Sequence, residues 1–216
     1  MKYISHKDLT KMTSRYRAQM INSLSGFKSA NLVGTCNGDQ LNNLAIFSSV
    51  VHLGSSPALV GFITRPDSVE RHTLENIKRT QRYTINQVNE SFWRKAHQTS
   101  ARYEANECEF MKTGLTAEYV DKINAPFVKE SSLKYALILK EIIPIELNGT
   151  LLVIGEITDI FCAEHAVKAD GYIDLEALNT IAITGLDSYH TSNRLSRVSY
   201  AKPDTLLSNL SIDGKT

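Results

Sequence analysis

Residues 43–66 read NLAIFSSVVHLGSSPALVGFITRP. The stretch is rich in β-branched and aromatic residues and is bounded by Asn, Gly and Pro, so it reads as two strands, Leu44–Gly54 and Ala58–Arg65. Upstream, SANLVGTC (Ser29–Cys36) is a third strand, joined to the first through Asn37-Gly38. Both turn residues tolerate positive φ, so this join is a hairpin and the strands pair antiparallel. Downstream, RYTINQV (Arg82–Val88) is a fourth strand. SLKYALILKEIIPIELNGTLLVIGEITDIFC (Ser132–Cys162) is a pair of long β runs meeting at Asn148-Gly149. Pro144 cannot donate to a ladder and requires an edge or a bulge. Antiparallel hairpins in close succession point to a mainly β chain, a closed or partly closed barrel, rather than a doubly wound parallel sheet.

Helical signals are fewer. Asp67 or Ser68 is placed to cap a helix from about Glu70 to Thr80; SFWRKAHQTSA and LTAEYVDKI are short helix candidates, and Asp174 is placed to cap LEALNT. No repeat, low-complexity segment or Pro/Gly-rich linker divides the 216 residues, so one domain spanning 1–216 is expected.

Composition excludes several functions. The 24 basic and 23 acidic residues leave a formal charge of +1, which gives no overall field for nucleic acid or an anionic membrane. No run approaches the roughly 20 apolar residues that span a bilayer, and the first residues lack the apolar core of a signal peptide, so a cytoplasmic location is expected. Cys36, Cys108 and Cys162 are odd in number and far apart, which argues against a disulfide framework and a structural zinc site.

Where the strand ending at Arg65 gives way to the helix, the chain reads TRPDSVERHTLENI (Thr64–Ile77). The first N–H groups of a helix have no intrahelical partner and attract an anion. Around them stand Arg65, Arg71 and His72 as charged or chargeable donors, with Ser68 and Thr73 as hydroxyl donors, an inventory suited to a phosphate monoester. The alternative is that the arginines pair with Asp67, Glu70 or Glu75 on a wet surface. Ser48 and Ser49 sit in a run too apolar for an exposed strand, so their hydroxyls bond neighbouring backbone or, with the backbone of Ala45, Ile46 and Phe47, line a ligand slot.

The order NLVGT, NLAIFSSVVHLGSSPALVGFITRP, RHTLENI and YTIN closely resembles the flavin reductase-like family. The resemblance continues through HQTSARY, EFMKTGLT, APFVKES, NGTLLVIGEI, DGYIDL and GLDSYH, covering about Gly26 to Pro203, and is nearest the flavoredoxin-type branch because of the long C-terminal extension. It implies an FMN-binding split β-barrel of antiparallel, Greek-key type, usually homodimeric. It further implies a phosphate cradle of Arg65, Arg71, His72 and Thr73, with Asn31, Val33 and Thr35 on one strand and Ala45, Ile46, Phe47, Ser48 and Ser49 on the next holding the ribityl chain and ring. Ile46 stands where many relatives have proline, a change of stiffness more than of chemistry.

Other residues weigh less. His52 in its apolar strand reads as a satisfied core histidine; His97 either approaches the ring face or caps local backbone. His165, Asp170 and Asp174 lack zinc-site and EF-hand spacing. Phe92, Trp93 and Tyr103 read as core. No catalytic triad, metal motif or P-loop is present, in keeping with hydride transfer from a nicotinamide to a flavin, which needs no protein nucleophile. The first expectation is an FMN-dependent reductase that oxidises NADH or NADPH and passes electrons to a small acceptor. The others are a flavoredoxin-like electron-transfer protein fed by a protein donor, and a flavin carrier without turnover. In a homodimer with the flavin near the interface, Tyr189 and Arg194 of the tail would lie beside the ring.

Overall fold

A computed structural model of the chain describes all residues except 39–40, 67–70 and 216. In chain order the helices are α1 (His6–Lys11), α2 (Ser14–Leu24), α3 (His72–Thr80), α4 (Trp93–Gln98) and α5 (Glu109–Thr113). The strands are β1 (Lys28–Ser29), β2 (Asn31–Cys36), β3 (Asn42–Phe47), β4 (Val51–Ser55), β5 (Ala58–Thr64), β6 (Arg82–Gln87), β7 (Ala117–Glu118), β8 (Phe127–Val128), β9 (Leu133–Ile145), β10 (Thr150–Cys162), β11 (Ala182–Thr184), β12 (Ser188–His190), β13 (Arg197–Val198) and β14 (Asn209–Leu210). The fold is mainly β, with 36% strand and 19% helix among the described residues.

One antiparallel seven-stranded sheet, in the order β3-β2-β6-β9-β10-β5-β4, organises the molecule. Its two edges, β3 and β4, are separated in sequence only by Ser48–Val50. That connection spans at most about 14 Å fully extended, whereas the edges of a flat seven-stranded sheet lie roughly 29 Å apart. The sheet must therefore curl until its edges approach, although β3 and β4 share no ladder. The Ser49 hydroxyl helps hold the seam, donating to the Ile63 carbonyl at 3.0 Å and accepting from the Ile63 N–H at 3.1 Å. The run expected as one strand, Leu44–Gly54, is thus split at these serines and serves both edges.

Curling divides the apolar residues into two cores. Val33, Phe62, Tyr83, Ile85, Leu137 and Val153 fill the interior of the curl together with Leu74 and Ile77 of α3. On the outer face Leu32 and Leu44 pack with Phe92 at the start of α4, Ala96 of α4, Phe110 of α5 and Ile183 of β11. Alternation along β2 sets the division, Leu32 going outward and Val33 inward.

Asn148-Gly149 makes the expected hairpin, with Gly149 at φ 71° and Asn148 Oδ1 accepting the Thr150 N–H at 3.0 Å. Pro144 lies beyond Ile138, where the β6 ladder ends, and so occupies an edge position opposite Leu151. Three local expectations are corrected. LTAEYVDKI is not helical: Ala117–Glu118 pairs with Phe127–Val128, and Lys122 takes φ 70°, which stops a helix. LEALNT forms turns rather than a helix, although Asp174 Oδ1 accepts the Ala177 N–H at 3.5 Å as a cap would; the segment ends where Thr180 bridges to Asn89. α4 covers only Trp93–Gln98 of its expected span. The region before β1, expected as an N-terminal helix or arm outside the family-like core, holds α1 and α2, the first closed by a Ser5/Asp8 capping box. The expected caps Asp67 and Ser68, and the start of their helix at Glu70, lie outside the described residues; α3 is helical from His72.

Candidate functional site

The free edge of β3 is the natural place to begin. Glu109 Oε2 accepts the Leu44 N–H at 3.0 Å, which fixes the direction of that N–H as away from β2. In an antiparallel ladder alternate residues turn their polar groups to opposite sides, so Ile46 presents its N–H and C=O at the same open edge, while those of Asn43, Ala45 and Phe47 are directed to Thr35, Val33 and Asn31 of β2. Of the three backbone segments expected to meet a ligand, only that of Ile46 is therefore turned outward. Ser48 follows it half-buried, with no hydrogen-bond partner among the described residues. Ser49 spends its hydroxyl on Ile63, as the backbone-bonding alternative required.

The β2 residues divide. Val33 is fully buried in the interior core, which closes its side chain to a ligand. Thr35, also fully buried, accepts hydrogen bonds from Asn76 Nδ2 at 3.1 Å and Asn43 Nδ2 at 3.4 Å. Asn31 differs from both. It is 1% exposed and donates to Ser29, but its Oδ1 has no partner, and neither has Oε1 of Gln87, its neighbour across the ladder. A buried orphan acceptor carries a desolvation cost of about 1–3 kcal/mol. Two side by side mark a place built for a donor, and sequence reasoning missed Gln87.

At the N-terminus of α3, Arg71 is the N-cap, its Nε donating to the Pro66 carbonyl at 3.3 Å and its backbone N–H reaching Glu75. Neither Arg65 nor Arg71 forms an ion pair among the described residues; the pairing with Glu75 does not occur, and Asp67, Ser68 and Glu70 lie outside them. Thr73 accepts from Asn43 Nδ2 at 2.9 Å, leaving its O–H to donate. His72 lines a recess of about 140 Å³ with Asn42, Glu75, Asn76, Arg79 and Glu107. A second missed residue stands behind it. Glu109 is 6% exposed; burial pushes its carboxyl above the usual range, and the backbone N–H of Leu44 and the charge of His72 work against that rise. In ECEFMK it looks like one more solvated charge.

On the outer face, His97 and Tyr189 meet. His97 Nδ1 lies 2.8 Å from the Tyr189 hydroxyl, and the Tyr189 ring is 5.0 Å from that of Trp93. Burial pushes the Tyr189 phenol up to about 12. Tyr189, Trp93 and Ile46 pack on the same outer core. Arg194 is elsewhere, paired with Asp174 and Glu176. His52 is exposed on the uncovered face of edge strand β4 and is not a core histidine. A cavity of about 530 Å³ lined by Asn89, Glu90, Ser132 and His165 contains none of the expected residues. No metal-ligand cluster exists among the described residues.

The family model of the flavin reductase like domain matches residues 24–177. The chain belongs to the flavin reductase-like family. A split-barrel protein of Shewanella frigidimarina NCIMB 400, a candidate flavin reductase, is 52% identical and superposes with a TM-score of 0.90 over 93% of this chain and 100% of that one. Nitrilotriacetate monooxygenase component B of Bacillus cereus superposes at 0.80 with 20% identity, over 91% of this chain and 98% of that one. Flavoredoxin of Desulfovibrio vulgaris (Miyazaki F) does so at 0.67 with 22% identity, over 83% and 92%. An uncharacterised protein of Aquifex aeolicus (strain VF5) is 28% identical over 115 residues, 52% of this chain and 59% of that relative. As a flavin reductase-like protein the chain is an oxidoreductase fold built around a flavin-related cofactor. Among its described residues no helix is long and apolar enough to cross a membrane.

Proposed function

We propose that this flavin reductase-like protein binds FMN along the free edge of β3, reduces it with NADH or NADPH, and passes the electrons to a small acceptor. The observation that carries the reading is the pair of arginines, Arg65 and Arg71, left without ion-pair partners among the described residues beside the N-terminus of α3. With Thr73 they form a donor set for a phosphate monoester. The rest of the cofactor fits the remaining groups. Ribityl hydroxyls are donors, and Asn31 Oδ1 and Gln87 Oε1 are buried acceptors lacking one. Ile46 N–H, on the open edge, would hold the ring by backbone.

When bound, FMN supplies the hydride acceptor. The chain's own task is then to orient and to exclude water. Trp93, Tyr189 and Ile46 form an apolar wall on the outer face, and the His97–Tyr189 bond fixes the tyrosine's orientation. Direct hydride transfer depends on positioning, and no acid or base is assigned a step.

We also infer a cytoplasmic homodimer. Leu24 and Phe27 near the N-terminus are 74% and 70% exposed, and Leu195 and Leu206 in the tail are 102% and 94% exposed, apolar surface that a second copy would cover. The three cysteines are free thiols, in keeping with a reducing compartment. Calorimetric titration with FMN, FAD and riboflavin tests the cofactor assignment: FMN binds most tightly, and equal affinity for riboflavin would overturn it.

A further inference from the structure

Glu109 is an unusual choice for the work it does. An N–H at a strand edge is satisfied by water or by any neutral acceptor, yet the Leu44 N–H is met by a carboxylate that is 6% exposed. Burying an ionised carboxylate is costly unless a cation pairs with it, and no lysine or arginine pairs with Glu109 among the described residues. A buried, underpaired titratable group beside a ligand edge is a functional signal.

Its position gives the signal content. The Leu44 N–H it accepts and the Ile46 N–H lie two residues apart on one edge, about 7 Å along the strand. Toward α3, the residue before Leu44, Asn43, donates to Thr73 in the first turn of that helix at 2.9 Å, and the charge of the neighbouring His72 acts on the Glu109 carboxylate. Glu109 therefore stands between the ring end and the phosphate end of the cradle.

The charges that act on it come from two elements. α3 brings His72, which lines a recess with Glu75 and Arg79. The turn before α5 brings Glu107, which is paired with Lys112 of α5 at 2.6 Å. β3, reading NNLAIF, contributes no charge.

We propose that Glu109 is a positioning residue whose carboxylate both clamps the edge of β3 and sets a proton-dependent charge beside the cofactor's phosphate, so that FMN affinity is linked to pH through this side chain. The proposal rests on the FMN reading above. Ionised, Glu109 opposes the phosphate; protonated, it does not. Burial favours the protonated form to higher pH than for an exposed glutamate, so the charge is lost earlier as pH falls.

The test compares wild type with Glu109→Gln and Glu109→Ala by fluorescence titration with FMN and riboflavin from pH 5 to pH 8. Glutamine retains an acceptor for Leu44 without the charge. At pH 8 the glutamine variant binds FMN more tightly than wild type, on the order of tenfold for a charge several ångströms from phosphate, and the ratio shrinks as pH falls toward 5. Riboflavin affinities of these two proteins coincide at every pH. The alanine variant, lacking the clamp, loses affinity for both ligands throughout. An FMN ratio between wild type and Glu109→Gln that is one, or is constant with pH, overturns the proposal while leaving the FMN reading intact. Absence of flavin binding by wild type overturns both.

Discussion

His97 Nδ1 and the Tyr189 hydroxyl lie 2.8 Å apart although 92 residues separate them in sequence. The bond ties β12 to α4, and so fastens the tail hairpin β11–β12 over the outer face where Ile46 and Trp93 pack. If its role is to orient Tyr189 rather than to move a proton, Tyr189→Phe and His97→Ala have similar, modest effects. Each slows reduction of bound FMN by less than the roughly 100-fold at which general acid–base contributions begin. Stopped-flow comparison decides, and a loss of several hundred-fold for His97→Ala alone, with flavin affinity unchanged, would make it a proton donor.

The cradle at α3 makes a separable prediction. A charge-assisted hydrogen bond to phosphate contributes about 1.5–3 kcal/mol, so Arg71→Ala weakens FMN binding roughly tenfold or more and leaves riboflavin binding unchanged. Equal losses for both ligands would place Arg71 outside the phosphate site. Calorimetry on the variant measures both.

The barrel interior offers a test of packing. Tyr83 is 1% exposed and its hydroxyl has no partner, because it faces Gly155, where an added Cβ would lie 2.0 Å from the oxygen. Gly155→Ala therefore destabilises the fold by about 1–3 kcal/mol. Tyr83→Phe removes an unsatisfied buried group and stabilises by on the order of 1 kcal/mol, raising Tm by about 2–4 °C in a chain of this size. In the Tyr83→Phe background Gly155→Ala costs less, since the oxygen that clashes is gone. Additive melting shifts would show that the two sites do not touch.

The tail is pinned electrostatically. Arg194 pairs with Asp174 and with Glu176 at 3.1 Å, Arg197 pairs with Asp170, and both guanidiniums stack on Tyr172, at 5.7 and 4.3 Å from its centroid. Hydrogen bonds from Arg197 and from the Tyr172 N–H hold the Asp170 carboxyl below its usual range. Burial pushes Asp174 up, but Arg194 and the Ala177 N–H outweigh it and lower it. Lowered carboxyls contribute stability above the ordinary aspartate value of about 3.9 and lose it as pH falls through the folded value. The clasp is thus intact at neutral pH and opens only in strong acid. Asp174→Asn opens it at pH 7, which limited trypsin digestion reads as faster cleavage within residues 194–215. Unchanged digestion would show that the pairs do not hold the tail.

How far the sequence carried this fold depended on whether the deciding chemistry was local. Asn148-Gly149 announces a hairpin because its two residues tolerate the required φ, whatever lies elsewhere. The division of Leu44–Gly54 at Ser48–Val50 is a consequence of sheet closure, a property of all seven strands, and nothing inside that run signals it. LTAEYVDKI has helix-compatible spacing, but a bridge to Phe127–Val128 overrides propensity. The site divides likewise. Arg65, Arg71, His72 and Thr73 are neighbours in sequence and were legible as a cluster. Gln87, Glu109 and the His97–Tyr189 pair take their meaning from residues across a ladder or far along the chain. Val33 and Thr35 were placed on the right strand, but facing inward they serve the core and a buried amide network instead of an open groove.

The central claim, an FMN-dependent NAD(P)H oxidoreductase, is tested most directly by anaerobic stopped-flow mixing of the FMN-loaded protein with excess NADH and, separately, NADPH. The account predicts rapid loss of the flavin's visible absorbance with at least one nucleotide, and its return on admitting an acceptor. Bound FMN that neither nucleotide bleaches would contradict it, and would assign the protein to electron transfer from a protein donor or to flavin carriage.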